Sequence, residues 1–198
     1  MRVSDSARLV YLNPPRTATT TIDRQLKGNG LDLWRAPLYS GHQTLWKPEW
    51  EGYFVFMSVR SPWTRAVSLW RRTVEHLQYR SPKQRKALKD GKISFEGMLF
   101  CDCYWDWWSD VAAYRFAEGV PYVDLIVHQE TLREDFGKIP RVKWVIDHQY
   151  NRSQDQSAWY QHYTPECVER VLEVFDRDFE NYGYNRDFEA ARSGKLFA

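Results

Sequence analysis

The 198-residue chain carries 28 basic and 26 acidic side chains, a net charge of +2, so it lacks the global field that nonspecific binding to nucleic acid or an anionic membrane exploits. Aromatic residues make up 16% of it and ten are Trp, which is ample apolar area for the core of one domain. The opening MRVSDSARLVYLN holds only a short apolar run, with neither the length of a spanning helix nor the layout of a signal peptide. The expectation is a cytoplasmic protein with no nucleic-acid or membrane partner. Three cysteines, Cys101, Cys103 and Cys167, show no metal-ligand spacing and read as free thiols.

In chain order, residues 9–13 read as a strand, 14–19 as a loop, and 20–27 as a helix ended by the Gly28-Asn29-Gly30 turn. A second such unit follows. Residues 53–59 (YFVFMSV) form a nearly continuous apolar run suited to a strand buried on both faces, and Pro62 sits where a helix would begin. Trp63, Ala66, Val67, Trp70, Val74 and Leu77 then recur at helical spacing.

Residues 80–92 are basic and polar, read as an exposed connection or solvated helix. Residues 95–116 are aromatic-rich, including YWDWWSD at 104–110, and read first as core, with a sugar-stacking platform as the alternative. Residues 122–127 and 142–146 read as two further strands. The last helix has Thr164 as N-cap, Pro165 at its first position, one apolar stripe of Val168, Val171, Leu172, Phe175, Phe179 and Tyr182, and Gly183 at its stop. Strands alternating with helices predict an α/β fold built on a P-loop-type parallel sheet flanked by helices.

Two segments carry the chemistry. In PPRTATTT (14–21), between a strand and a helix, backbone N–H groups and the helix dipole converge on an anion. Thr17, Thr19, Thr20 and Thr21 add hydroxyls, Ala18 adds its backbone, and Arg16 adds a planar cation able to grip phosphate or sulfate oxygens. The loop lacks the GxxxxGK[ST] pattern. In RSPWTRAVS, Arg60 ends the central strand and Ser68 lies about 9 Å into the next helix at the usual rise, so the two could hold one phosphate. Taken singly, each segment could equally be a capped helix start or a surface cation. Two anion signals at the carboxyl ends of strands, where open α/β sheets bind ligands, fit a ligand with two separated phosphates.

These segments resemble the 5'-phosphosulfate loop and the 3'-phosphate motif of the sulfotransferases that use 3'-phosphoadenosine 5'-phosphosulfate (PAPS). PRTATTTI is similar to that family's P-K-T-x-x-T-[ST], and Arg60-Ser61-Pro62 with Arg65 and Ser68 to its R-[DN]-P-x-x-R-x-x-S. VDLIVHQETLREDF (123–136) resembles the strand and E-x-L-x-x-D-F stretch of the carbohydrate branch, and the segment from His162 onward its closing helix. HQYNRS (148–153) is similar to a cofactor-side loop, which implies nucleotide contacts for Asn151, Arg152 and Ser153. The likeness spans about residues 9–184 and implies a single sulfotransferase domain over 1–198, with 80–120 as its variable acceptor side. Arg16 stands where most of the family has Lys.

The resemblance implies in-line sulfuryl transfer from PAPS to a hydroxyl acceptor, a carbohydrate by this branch, releasing 3'-phosphoadenosine 5'-phosphate (PAP) without a metal. Arg16 and the loop would neutralise the leaving phosphate, while Arg60 and Ser68 would anchor the 3'-phosphate. His42 in YSGHQTLW is the candidate base: imidazole titrates near neutral pH, and Gly41-His42 resembles the catalytic histidine segment of uronyl 2-O-sulfotransferases. Glu49 and Glu51 are the substitutes. A P-loop small-molecule kinase and a non-catalytic nucleotide- or glycan-binding module are the competing readings, the first weakened by an Arg where a metal-binding carboxylate would end the strand.

Overall fold

The computed structural model describes residues 1–35, 46–75, 86, 94–100, 122–145, 147 and 158–198. The chain divides into two compact units: Met1–Arg60 with Val111–Ser153, and Ser61–Asp110 with Gln154–Ala198. The fold is α/β, with a mostly parallel sheet and flanking helices.

The first unit holds the sheet. Its strands are β1 (Arg2–Ser4), β2 (Leu9–Leu12), β3 (Trp34–Arg35), β4 (Phe54–Val59) and β5 (Leu125–His128), ordered β3-β1-β2-β4-β5. β2, β4 and β5 run parallel, in register Leu12 with Met57 and Val59 with His128. β1 is antiparallel to β2 and β3, so the predicted parallel sheet carries an antiparallel margin. Both strands of this margin, β1 and the edge strand β3, escape sequence reading because three and two residues are too few to show alternation.

Leu9, Tyr11, Phe56 and Val127 share one sheet face and pack with Ile22 and Leu26 of α1 (Thr19–Gly28) and Leu132 and Phe136 of α4 (Leu132–Phe136). Val3, Val10, Leu12, Val55, Met57 and Val59 are buried as well. The central strand is therefore apolar on both sides, which is why YFVFMSV shows no period of two.

The predicted strand at residues 142–146 does not form over its described part, residues 142–145. Those residues pair with side chains rather than with a strand. Asn29 accepts from the Lys143 N–H and donates to the Lys143 carbonyl, both at 2.8 Å, and Gln25 Oε1 accepts from Val145 N–H at 2.9 Å. The two amides supply the pairing that the apolar pattern led one to expect from a sheet edge.

The second unit is helical over its described residues: α2 (Pro62–Glu75), α3 (Phe95–Leu99), α5 (Pro165–Val174), α6 (Asp176–Tyr182) and α7 (Phe188–Arg192). Trp63 is its centre. The indole packs at 4.9 Å from Phe179, 5.3 Å from Phe188 and 5.7 Å from Tyr163. Its Nε1 donates to Asn185 O at 2.9 Å, while its own carbonyl accepts from the Tyr163 hydroxyl at 2.7 Å. Thr164 caps α5 as predicted, accepting from Cys167 N–H, and Gly183 ends α6 with φ 67°. The predicted single closing helix, however, breaks at Phe175 (φ −110°, ψ 22°). That break accompanies an inward Asp178, whose carboxylate lies 3.4 Å from the buried Arg65 guanidinium, which in turn sits over the Phe175 ring. Cys167 is a buried free thiol, and no described helix is long and apolar enough to cross a membrane.

Candidate active site at the carboxyl edge of the sheet

The loop between β2 and α1 is the best-defined feature of this edge. Pro14 and Pro15 restrict its entry, and Arg16 and Ala18 then adopt left-handed backbones, φ 69° and 68°. Two non-glycine residues in that region within three positions are unusual, each costing about 1 kcal/mol or more. The turn delivers the chain directly into α1, where Thr21 and Ile22 N–H bond to Ala18 O. Ala18 provides no side-chain cap and the first turn contains no acidic residue. The positive end of the helix is thus left uncompensated by its own sequence, beside the Arg16 cation.

The threonines divide by direction. Thr17 is fully buried, its hydroxyl donating to Pro14 O at 2.7 Å and lying 2.6 Å from Ser58 Oγ. Thr19 also donates to Pro14 O, at 3.2 Å. Thr21 is buried against the core, while Thr20 is exposed on the first turn. Of the four hydroxyls predicted to face an anion, those of Thr17 and Thr19 shape the loop, so Thr17 can offer a ligand only its backbone.

Asn13, Arg60 and Gln129 each stand one residue beyond a parallel strand, at the shared carboxyl edge. The Gln129 N–H bonds to Val59 O at 2.9 Å, extending the ladder by one step. Asn13 Oδ1 and Gln129 Oε1 are buried without a hydrogen-bond partner. Arg60 is half-buried and enters this edge from the end of β4, as the sequence predicts. Ser68 is buried on α2 in the second unit. Arg65, part of the same motif, is structural: it is closed inside that unit by Asp178.

The family model of the sulfotransferases matches residues 1–185. The chain belongs to the sulfotransferase family. The match runs continuously over both units and includes the β2–α1 loop, Arg60 and Ser68. No curated protein and no solved structure matches the chain.

Family membership makes the chain a transferase of sulfuryl groups and implies a hydroxyl-bearing acceptor. Sulfotransferases generally draw the group from PAPS, and the β2–α1 loop fits the 5' end of that donor: an Arg cation, an exposed Thr20 hydroxyl, and a helix start without an acidic residue. Among the described residues no group of three His, Cys, Asp or Glu side chains could hold a metal.

His42, Asn151, Arg152 and Ser153 lie outside the described residues, as do Cys101, Cys103 and residues 104–110. Glu49 and Glu51, the substitute bases, are exposed, and Glu49 pairs with Lys47 at 3.4 Å. The polar residues at the end of β5 are bonded to one another. His128, at the end of β5, lies with Nδ1 3.2 Å from Asp135 Oδ2, and that carboxylate also accepts from His128 N–H, Thr131 and Lys138. Burial raises the Asp135 pKa, but these donors, Lys138 foremost, outweigh it and hold the group below the ordinary carboxylate range. Ser58 is the residue that sequence reading missed. A serine inside an otherwise apolar strand was the available signal.

Proposed function

We propose that this protein transfers the sulfuryl group of PAPS to a hydroxyl of a carbohydrate, by in-line displacement without a metal, as one catalytic domain spanning both units. The β2–α1 loop carries this reading. A turn with two left-handed non-glycine residues, opening onto an uncapped helix start beside Arg16, presents donors to an anion and has no acidic residue in its first turn to repel it.

PAPS brings the activated sulfuryl group, and PAP is the leaving group. Negative charge grows on the leaving phosphate oxygen, so donors already aimed there lower the barrier without reorganising. Arg16, the loop N–H groups and the Thr20 hydroxyl supply that charge complement, with Thr21 behind them in the first turn. Arg60 and Ser68, at the family motif's spacing, anchor the 3'-phosphate, and Asn151, Arg152 and Ser153 contact the nucleotide. His42 takes the acceptor proton; a glutamate, Glu49 or Glu51, is the alternative base. The carbohydrate acceptor rests on the likeness of residues 123–136 to the carbohydrate branch and on the aromatic and basic middle of the chain. The site of action is the cytoplasm.

Calorimetric titration with PAP, AMP and ATP in EDTA tests the reading. PAP should bind selectively, and Arg60→Ala should abolish the preference. Equal binding of the three nucleotides, or an absolute need for magnesium, would remove the two-phosphate site and bring the kinase forward.

A further inference from the structure

We propose that Ser58 is a positioning residue that sets the conformation of the anion loop through a one-directional chain of buried hydroxyls. The inference rests on reading that loop as the 5' anion site. Tyr11 Oη lies 2.8 Å from Ser58 Oγ, Ser58 Oγ lies 2.6 Å from Thr17 Oγ1, and Thr17 Oγ1 lies 2.7 Å from Pro14 O. All three hydroxyl-bearing residues are fully buried.

Proton counting gives the chain a direction. A carbonyl oxygen only accepts, so Thr17 spends its one proton on Pro14. Thr17 must then accept from Ser58, and Ser58, its proton committed, must accept from Tyr11. The order Tyr11→Ser58→Thr17→Pro14 gives each of these three contacts a donor. It also requires a protonated phenol, and burial pushes the Tyr11 pKa well above its usual value.

The parallel sheet places the first two members of this relay. Tyr11 is in register with Phe56 and stacked on it at 4.6 Å, and Ser58 follows on the same face two residues later. The sheet thus offers a rigid hydroxyl directly beneath the loop. What Ser58 holds is Thr17, the residue between the left-handed Arg16 and Ala18. Strained backbone persists only where its surroundings over-determine it, and the relay is the buried tether that does so.

A loop set in this way should matter for a 5'-phosphate and not for the rest of the nucleotide. The test is calorimetry on the full chain with PAP and with adenosine 3'-phosphate, which lacks the group the loop would hold. Ser58→Ala should weaken PAP about tenfold while leaving adenosine 3'-phosphate unchanged. Tyr11→Phe, which keeps the ring stack and the Ser58–Thr17 contact, should weaken PAP only about threefold, with the same selectivity. Equal losses for both ligands would make the relay a general stabiliser and overturn the proposal, as would no loss for either. Should Ser58→Ala not fold, Tyr11→Phe decides by the same criterion. A wild-type protein with no preference for PAP over adenosine 3'-phosphate would instead bring down the reading of the loop itself.

Discussion

Ala18 has φ 68° and closes the anion loop, its methyl packed against the hydrophobic core of the first unit. Glycine adopts that backbone without the clash of a Cβ but forfeits the methyl's packing and adds unfolded-state entropy, so Ala18→Gly should leave stability within about 1 kcal/mol of wild type, read as a nearly unmoved denaturant midpoint at unchanged slope. At the other end of the chain, Thr164 accepts from Cys167 N–H as the cap of α5. Thr164→Ala should cost about 1 kcal/mol in the same measurement. The cap was legible because Thr-Pro before an apolar stripe is a local signal. The direction of the Thr17 hydroxyl was not, since Thr17 and Thr20 belong to one threonine-rich stretch and differ only in what the sheet places beneath them.

Among the elements, α2 and α6 are joined by a buried ion pair, and α4 is tied to β5 through a buried carboxylate. Arg65 and Asp178 are each almost fully buried and 3.4 Å apart, so removing one leaves a charge without its partner. Asp178→Ala should cost about 3–5 kcal/mol, whereas the double replacement Arg65→Met with Asp178→Leu should cost far less, a non-additivity that a double-mutant cycle in urea would measure. Asp135 answers to pH. Its folded-state pKa lies below the ordinary value, so its stabilisation is full above the unfolded-state pKa of about 3.9 and drains away as pH falls through the lower, folded-state value. Asp135→Asn should therefore lower stability at neutral pH and flatten the decline below about pH 4, seen in thermal melts taken into the acid range.

For the molecule as a whole, a ligand that binds only the folded state stabilises it by mass action. PAP at a hundred times its dissociation constant should add about 2.7 kcal/mol and raise the melting temperature by about 5–10 °C, a shift that Arg60→Ala should remove. Local chemistry in the chain determined β2, β4, the loop at residue 14, the helix after Pro62 and the Thr164 cap: continuous apolar runs, prolines and capping residues act within a few positions and need no partner. The antiparallel strands β1 and β3, the side-chain pairing that replaces a strand at residues 142–145, the break at Phe175 and the relay under the anion loop were decided by tertiary structure. Each depends on groups distant in sequence, Asn29 with Lys143, Arg65 with Asp178, Ser58 with Thr17. A buried polar group takes whatever partner the fold brings within about 3 Å, and no periodicity along the chain records which one that will be.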